Sequence, residues 1–381
     1  MQIYSKTLSL NTNEFFPDSI SPEESLLFDL ETTGLSAENN RIFLIGCASW
    51  QGDHWQLMQW FDDTGEDEKN ILASFLLYSQ GKKVLIHFNG NRFDIPFVTR
   101  RLALLDESGA LSSLNPLPSM QSVDLYQMVK PYKQILGLPD YRQQTLEAFF
   151  GSDRTENTTG EQEVISYQAF LNGDSSQLSS VLAHNSADLE GLLHLTRLLL
   201  LPRIFESNPS VIRAQADYYR GADGTSREEL ILTMRIHQMP DGYLANPIAL
   251  SADGCYVNIS DHKAIVKVPM FTGELRYFYA NYKDYYYLPV EDQAIHKSIA
   301  QFTDPNHREQ AKAENCYTRK TSTYLPEWDL FRSPFFKKEY RDRTVWFEFT
   351  KEMKMDKQFF SDYAGYVYRH VIDANKTGRK D

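Results

Sequence analysis

The stretch 26–35, LLFDLETTGL, carries Asp29 and Glu31 two residues apart inside an apolar run. Side chains at i and i+2 of a strand point to one face, so a strand here sets two carboxylates side by side. Beside Leu26, Leu27 and Phe28 such a pair is costly unless a cation neutralises it or the strand ends at the solvent. Two further stretches carry groups of the same kind. HFNGNRFDIPF at 87–97 reads as a buried strand, a Gly-containing turn and a helix that presents Asp94. LAHNSADLEGLLHL at 182–195 holds His184 and Asp188 four apart, which in a helix is one face. Sets of hard oxygen donors suit Mg²⁺ and Mn²⁺. Two such ions about 3.5 to 4 Å apart activate a water and stabilise developing negative charge on oxygen, so the chemistry these groups could do is metal-assisted hydrolysis.

The elements that must position these groups alternate between strand and helix. Apolar runs at 25–30, 41–49 and 54–61, parted by TTGLSAENN and QGDH, predict an antiparallel three-strand meander. A helix over 66–78, a short buried strand at 84–88 and a helix over 92–105 follow, and the Leu-rich segment 175–201 is the longest helical candidate. Strands interleaved with helices imply an α/β domain with a mixed sheet over residues 1–205. A connecting region is expected over 206–228, with a short helix conceivable at 211–219. Residues 229–381 read as a second, α+β, strand-rich domain. Its strand candidates are CYVNI, AIVKV, ELRYFYANY and TVWFEF, with turns at PDG, ADG and FTG. A terminal helix over about 356–372 sets Phe359, Tyr363, Val367 and Val371 on one face.

Composition bounds the setting. A chain of 381 residues with 42% hydrophobic and 24% charged residues has material for two ordinary cores. Three scattered cysteines form no CxxC pair, which fits a reducing cytoplasm rather than a disulfide framework. The first residues lack the pattern of a signal peptide, and no run is long enough to cross a bilayer. The net charge of −12 is uneven. Residues 1–205 hold 14 Lys and Arg against 26 Asp and Glu, whereas the remainder balances at 25 of each. Bound divalent metal would offset part of the acidity of the first half.

In order and context, DLETTG at 29–34, NGNRFDIPF at 89–97 and HNSAD at 184–188 resemble the three sequence blocks of the DEDD exonucleases, a branch of the ribonuclease-H-like superfamily. The likeness covers about residues 25–200 and is nearest to the bacterial YprB-like family. It implies a ribonuclease-H-like mixed sheet flanked by helices and a metal-dependent 3′→5′ exonuclease acting on DNA or RNA at a single-stranded 3′ end. By resemblance, Asp29 bridges two Mg²⁺ or Mn²⁺ ions, Glu31 and Asp188 complete the first site, and Asp94 serves the second. Thr32, Thr33 and Gly34 form the turn where a terminal nucleotide docks, with Asn89 as a further substrate contact. His184 takes the role of general base or water-positioning group. It departs from the pattern, because the histidine subgroup carries its His five positions before the last Asp, and this chain has the four-residue spacing of the tyrosine subgroup.

Other readings of the same residues stand beside these. Asp94 is also what a helix first turn favours, Asn89 suits a turn, and His87 and Asp124 are weaker candidates, Asp124 as a helix cap. A non-catalytic nucleic-acid-binding module, an endonuclease on the same fold, and a protein-interaction scaffold are the alternatives; no protein partner is inferable. In the second half, which resembles no family, 16 of the 22 tyrosines fall after residue 206. Aromatics interleaved with Lys and Arg, such as Arg276 and Lys283, either grip single strands by stacking or simply build one buried sheet face. His296, His307 and Cys316 have irregular spacing for a zinc site and lack a fourth ligand.

Overall fold

The computed structural model describes the chain except residues 11, 153, 155–159, 207, 222–223, 238 and 378–381. The first sheet is built from β1 (Gln2–Leu8), β2 (Ser25–Thr32), β3 (Ile42–Trp50), β4 (Trp55–Phe61), β5 (Val84–His87) and β6 (Gln121–Asp124), in the order β1-β4-β3-β2-β5-β6. The expected meander is present as antiparallel β2, β3 and β4, while β5 and β6 run parallel to β2. The sheet is therefore mixed, and β2 is the strand at which its direction changes. β1, which the apolar pattern did not announce, closes the far edge against β4. It is mostly exposed, as an edge strand with polar residues on its open side is.

β2 and β3 are almost wholly buried because helices cover both faces. On one face α1 (Glu68–Tyr78) and α2 (Asp94–Leu105) pack Phe75, Leu76, Phe97 and Val98 against Leu26, Phe28 and Leu30. On the other, the helix Leu178–His194 lies across β2 and β3. The segment expected as one long helix to 201 ends at His194 and continues as a tighter 3-10 stretch, Leu195–Leu200, which is completely buried.

The second half is an eight-stranded antiparallel sheet with a small three-stranded one beside it. Ser210–Arg220, where a short helix was conceivable, is a strand paired with Ser226–Arg235. The FTG at 271–273 is not a turn. Lys263–Phe278 runs through it as one strand, pairing with Ser226–Arg235 as far as Met270 and with Tyr317–Glu327 from Phe271 onward. The terminal helix Lys357–Thr377 buries Phe359, Tyr363, Val367 and Val371 as expected, and packs on this sheet.

One hydrophobic cluster runs continuously from Leu27 and Ile86 in the first sheet to Val266 and Val371 in the second half. Arg197 sits in it, 7% exposed, donating to the carbonyls of Phe150 at 2.9 Å and Tyr243 at 3.3 Å. The Tyr243 hydroxyl returns a hydrogen bond to the Arg197 carbonyl at 2.6 Å. A guanidinium this buried is tolerable because backbone acceptors and the Phe15 ring, 4.7 Å from its centre, surround it. No helix among the described residues is long and apolar enough to cross a membrane.

Candidate metal centre

β5 pairs with β2 only as far as Leu27, so the last residues of β2 project beyond it. That leaves the Leu30 amide to the carboxyl of Asp94, which opens α2. The crevice outside the carboxyl ends of parallel strands, at the point where a sheet reverses, is where open α/β sheets place ligands. Asp29 and Glu31 point into it from one face of β2, while Phe28 and Leu30 anchor the strand in the core on the other.

The helix Leu178–His194 brings the third group. His184 Nε2 lies 3.4 Å from Asp188 Oδ2 and 3.8 Å from Glu31 Oε1. One ligand atom each from Glu31, His184 and Asp188 fall within 4.8 Å of one another, and among the described residues these three form the one His, Cys, Asp and Glu cluster with such spacing. His296, His307 and Cys316 do not form one.

The electrostatics follow from crowding acids in a dry place. Burial, then the charges of Asp188 and Asp94, push the Asp29 carboxyl well above the usual carboxylate range. Glu31 is raised likewise by burial and by Asp29, Asp188, Glu163 and Asp94. Asp94 is pushed up to about 7, chiefly by burial, against the pull of the Asp94 and Leu30 amides. A set of hard oxygen donors that repel one another fits a small divalent cation.

Three residues outside the expected set hold the acids in place. Asn185, fully buried, donates from Nδ2 to Asp29 Oδ2 at 2.9 Å and accepts from Gln59 Nε2 at 2.9 Å. It reaches Asp29 because the residue across the ladder from Asp29 is Gly46. A Cβ there would stand 2.0 Å from Asn185 Oδ1. Arg154 brings a cation to the cluster, with Nη1 at 2.6 Å from Asp188 Oδ1 and 3.6 Å from buried Glu147 Oε1. Asn185 lies three residues before Asp188, on the same helical face, a spacing that marks it as a neighbour. Nothing local marks Gly46 or Arg154.

The remaining expected residues are placed as follows. Thr32 Oγ1 donates to the Gly34 carbonyl at 2.9 Å, and Thr33 closes the loop by pairing with the Arg41 backbone. Both threonine side chains therefore shape the turn, and Leu35 at its tip is 87% exposed. Asn89 adopts φ 59°, and its side-chain oxygen is buried without a protein partner. Asp124 caps the helix Leu125–Val129 through the Tyr126 and Gln127 amides, and its Oδ1 also accepts from the Asn89 amide at 2.9 Å. His87 builds the same turn. Its Nδ1 accepts from the Gly90 amide at 3.1 Å, which leaves Nε2 to donate to Ser122 Oγ at 2.8 Å. In the second half, Arg276 is committed to Glu339 at 2.6 Å and to the Lys338 carbonyl, while Lys283 is exposed.

Residues 26–200 match the family RNase_H_2 of the RNase_H superfamily, and the mixed sheet flanked by helices agrees with a ribonuclease-H-like fold. No curated protein matches the chain. Among solved structures, the family B DNA polymerase from the hyperthermophilic archaeon Pyrobaculum calidifontis is similar over 68% of this chain, at 13% identity and a TM-score of 0.34. The chain spans 35% of that polymerase.

Proposed function

We propose, with the ribonuclease-H-like sheet as the premise, that this protein is a DEDD-type nuclease that uses Mg²⁺ or Mn²⁺ to trim nucleic acid from a 3′ end. The observation that carries the reading is convergence. Three separate stretches of chain deliver Asp29 and Glu31, Asp94, and His184 with Asp188 to the end of one strand, where their mutual repulsion has no structural use. Asp29, Glu31 and Asp188 would hold one ion and Asp94 the second; when bound, such a pair activates water and stabilises charge on the phosphate and leaving oxygen.

The chain's own residues do the rest. Asn185 orients Asp29, and Asp188 is steadied by the helix face it shares with His184. His184 Nε2, facing both Glu31 and Asp188, is placed to hold the attacking water or accept its proton. The turn at Thr32, Thr33 and Gly34, stiffened by its own hydrogen bonds, offers a rigid rim to a terminal nucleotide, with Asn89 as a further contact. The 3′→5′ polarity comes from the likeness to DEDD exonucleases.

One observation favours a second reading. The Arg154 guanidinium already supplies positive charge against Asp188, as a fold kept for binding nucleic acid without cutting it would need. Digestion of 5′-labelled single-stranded DNA and RNA separates the two, with Mn²⁺, with Mg²⁺ and with chelator, beside Asp29→Ala and Asp188→Ala. A metal-dependent ladder shortening from the 3′ end, absent in both variants, supports the nuclease. Binding without cleavage under any metal supports the module, and cutting of a circular strand would mark an endonuclease.

A further inference from the structure

Beside the carboxylates lies a second feature that the metal chemistry does not use. A groove of about 500 Å³ is lined by Asn89, Arg92, Tyr126, Lys133, Tyr141 and Arg142 among its residues. Three of the 14 cations in the acidic first half meet here, and no Asp or Glu among the described residues lines the groove. Arg92 and Arg142 are exposed, and among the described residues neither forms an ion pair, although Asp140 feels the Arg142 charge.

The aromatic walls are preset. Lys133 Nζ donates to the Tyr126 hydroxyl at 2.9 Å and sits 4.6 Å from the ring centroids of both Tyr126 and Tyr141. The Tyr141 hydroxyl donates to the Lys133 carbonyl and accepts from the Leu138 amide. Both rings are thereby fixed to one short segment, and little side-chain freedom is left to lose on binding.

Both walls are also tied to the acid cluster. On one side, Asn89 opens the turn that leads to Asp94, and Asp124 joins that turn to Tyr126 by accepting from the amides of both Asn89 and Tyr126. On the other, Gln143, which follows Arg142 and also lines the groove, donates to the Asp188 carbonyl at 2.8 Å.

We propose that this groove holds the phosphates and bases of a single-stranded nucleic acid upstream of the bond at the carboxylates, with Arg92 and Arg142 on phosphates and Tyr126 and Tyr141 against the bases. Cations beside fixed aromatic faces are what hold single strands without sequence preference. The charge pattern agrees, because four acids at the chain end would repel a polyanion that nothing nearby attracts. The proposal rests on the nucleic-acid reading above and adds to it the path of the strand.

The test is fluorescence anisotropy of labelled single-stranded DNA and RNA, in EDTA so that nothing is cut, over a salt series, for the wild type and for Arg92→Gln/Arg142→Gln. Both side chains are exposed, so the double variant should melt with the wild type. Single strands lose about 0.7 in the slope of log affinity against log salt per phosphate contact. The variant should bind roughly tenfold more weakly or worse, with a slope shallower by about 1.4. Unchanged affinity and slope would overturn the groove, while cleavage by the wild type would leave the nuclease reading standing. A wild type that binds but never cleaves would remove the catalytic reading and leave the groove to be judged by the same variant. A wild type that binds neither DNA nor RNA would overturn both.

Discussion

Replacing Asn185 by alanine tests how the acid cluster is held. The substitution deletes the amide that donates to Asp29 Oδ2 at 2.9 Å. A hydrogen bond to a charged group contributes about 1.5 to 3 kcal/mol. Asp29 is already hard to ionise, through burial and the charges of Asp188 and Asp94, and the Asn185 amide is the hydrogen bond that opposes this. A divalent ion binds the ionised carboxylate. The lost free energy should therefore appear as Mn²⁺ affinity reduced roughly 10- to 150-fold near neutral pH. The sign also fixes the pH behaviour. Losing the donor raises the Asp29 pKa further, so the pH midpoint for metal binding moves up and the deficit shrinks as pH rises. The fold should suffer less, because Gln59 keeps its bond to the Leu182 carbonyl at 3.0 Å. Calorimetric titration of Mn²⁺ at several pH values measures all of this. Gly46→Ala reaches the same amide from the other side, since its Cβ would meet Asn185 Oδ1 at 2.0 Å and Leu189 Cδ1 at 2.6 Å. It should reproduce the loss of affinity and add an overpacking cost of about 1 to 3 kcal/mol in melts. If Asn185→Ala bound Mn²⁺ within about twofold of the wild type, with the same midpoint, the account of Asp29 would be refuted.

Three further outcomes are expected. Asp29, Glu31 and Asp94 all have raised folded-state pKa values, Asp94 at about 7, whereas unfolded carboxylates titrate near 4. For Asp94 the folded chain holds the extra proton between about pH 4 and 7, so its contribution to stability falls as pH rises, by on the order of 4 kcal/mol; denaturant melts in EDTA on either side of that window, with Mn²⁺ restoring the loss on the alkaline side, would check it. Arg154→Gln removes the guanidinium at 2.6 Å from Asp188, and should lower the metal-free melting temperature while strengthening Mn²⁺ binding severalfold, because cation and guanidinium compete for one carboxylate. Arg197→Met strands the carbonyls of Phe150 and Tyr243 in the shared core, and should cost about 2 to 4 kcal/mol in a single unfolding transition; two separate transitions would contradict one core.

Much of this architecture was legible because burial writes a period into the chain. The meander of β2, β3 and β4 and the helices at 68–78, 94–105 and 357–377 all follow apolar spacing. Ser210–Arg220 was not legible as a strand because every residue in it is exposed or half-buried, so no alternation survives. Lys263–Phe278 looked like two strands because Gly273 suggested a turn, but the strand only changes partner, between Met270 and Phe271, and keeps its direction. The four acids and His184 stood out for a different reason: they lie in three stretches that resemble the blocks of one family, and the fold brings them close to one another. Asn185 was half-legible, three residues from Asp188.

Gly46 and Arg154 mark where local reading stops. Gly46 matters only through the ladder that sets it opposite Asp29, and Arg154 only through the fold that returns it to Asp188. Yet the physics demands that something of their kind exist. Carboxylates crowded at the end of a buried strand cannot all ionise without help, so the chain must supply an amide, a cation or room for both. Asn185 seated over Gly46 supplies the first, and Arg154 the second. Their presence explains how such a cluster can fold with no other cation, and why, on the nuclease reading proposed above, the same two groups should govern how tightly a divalent ion binds.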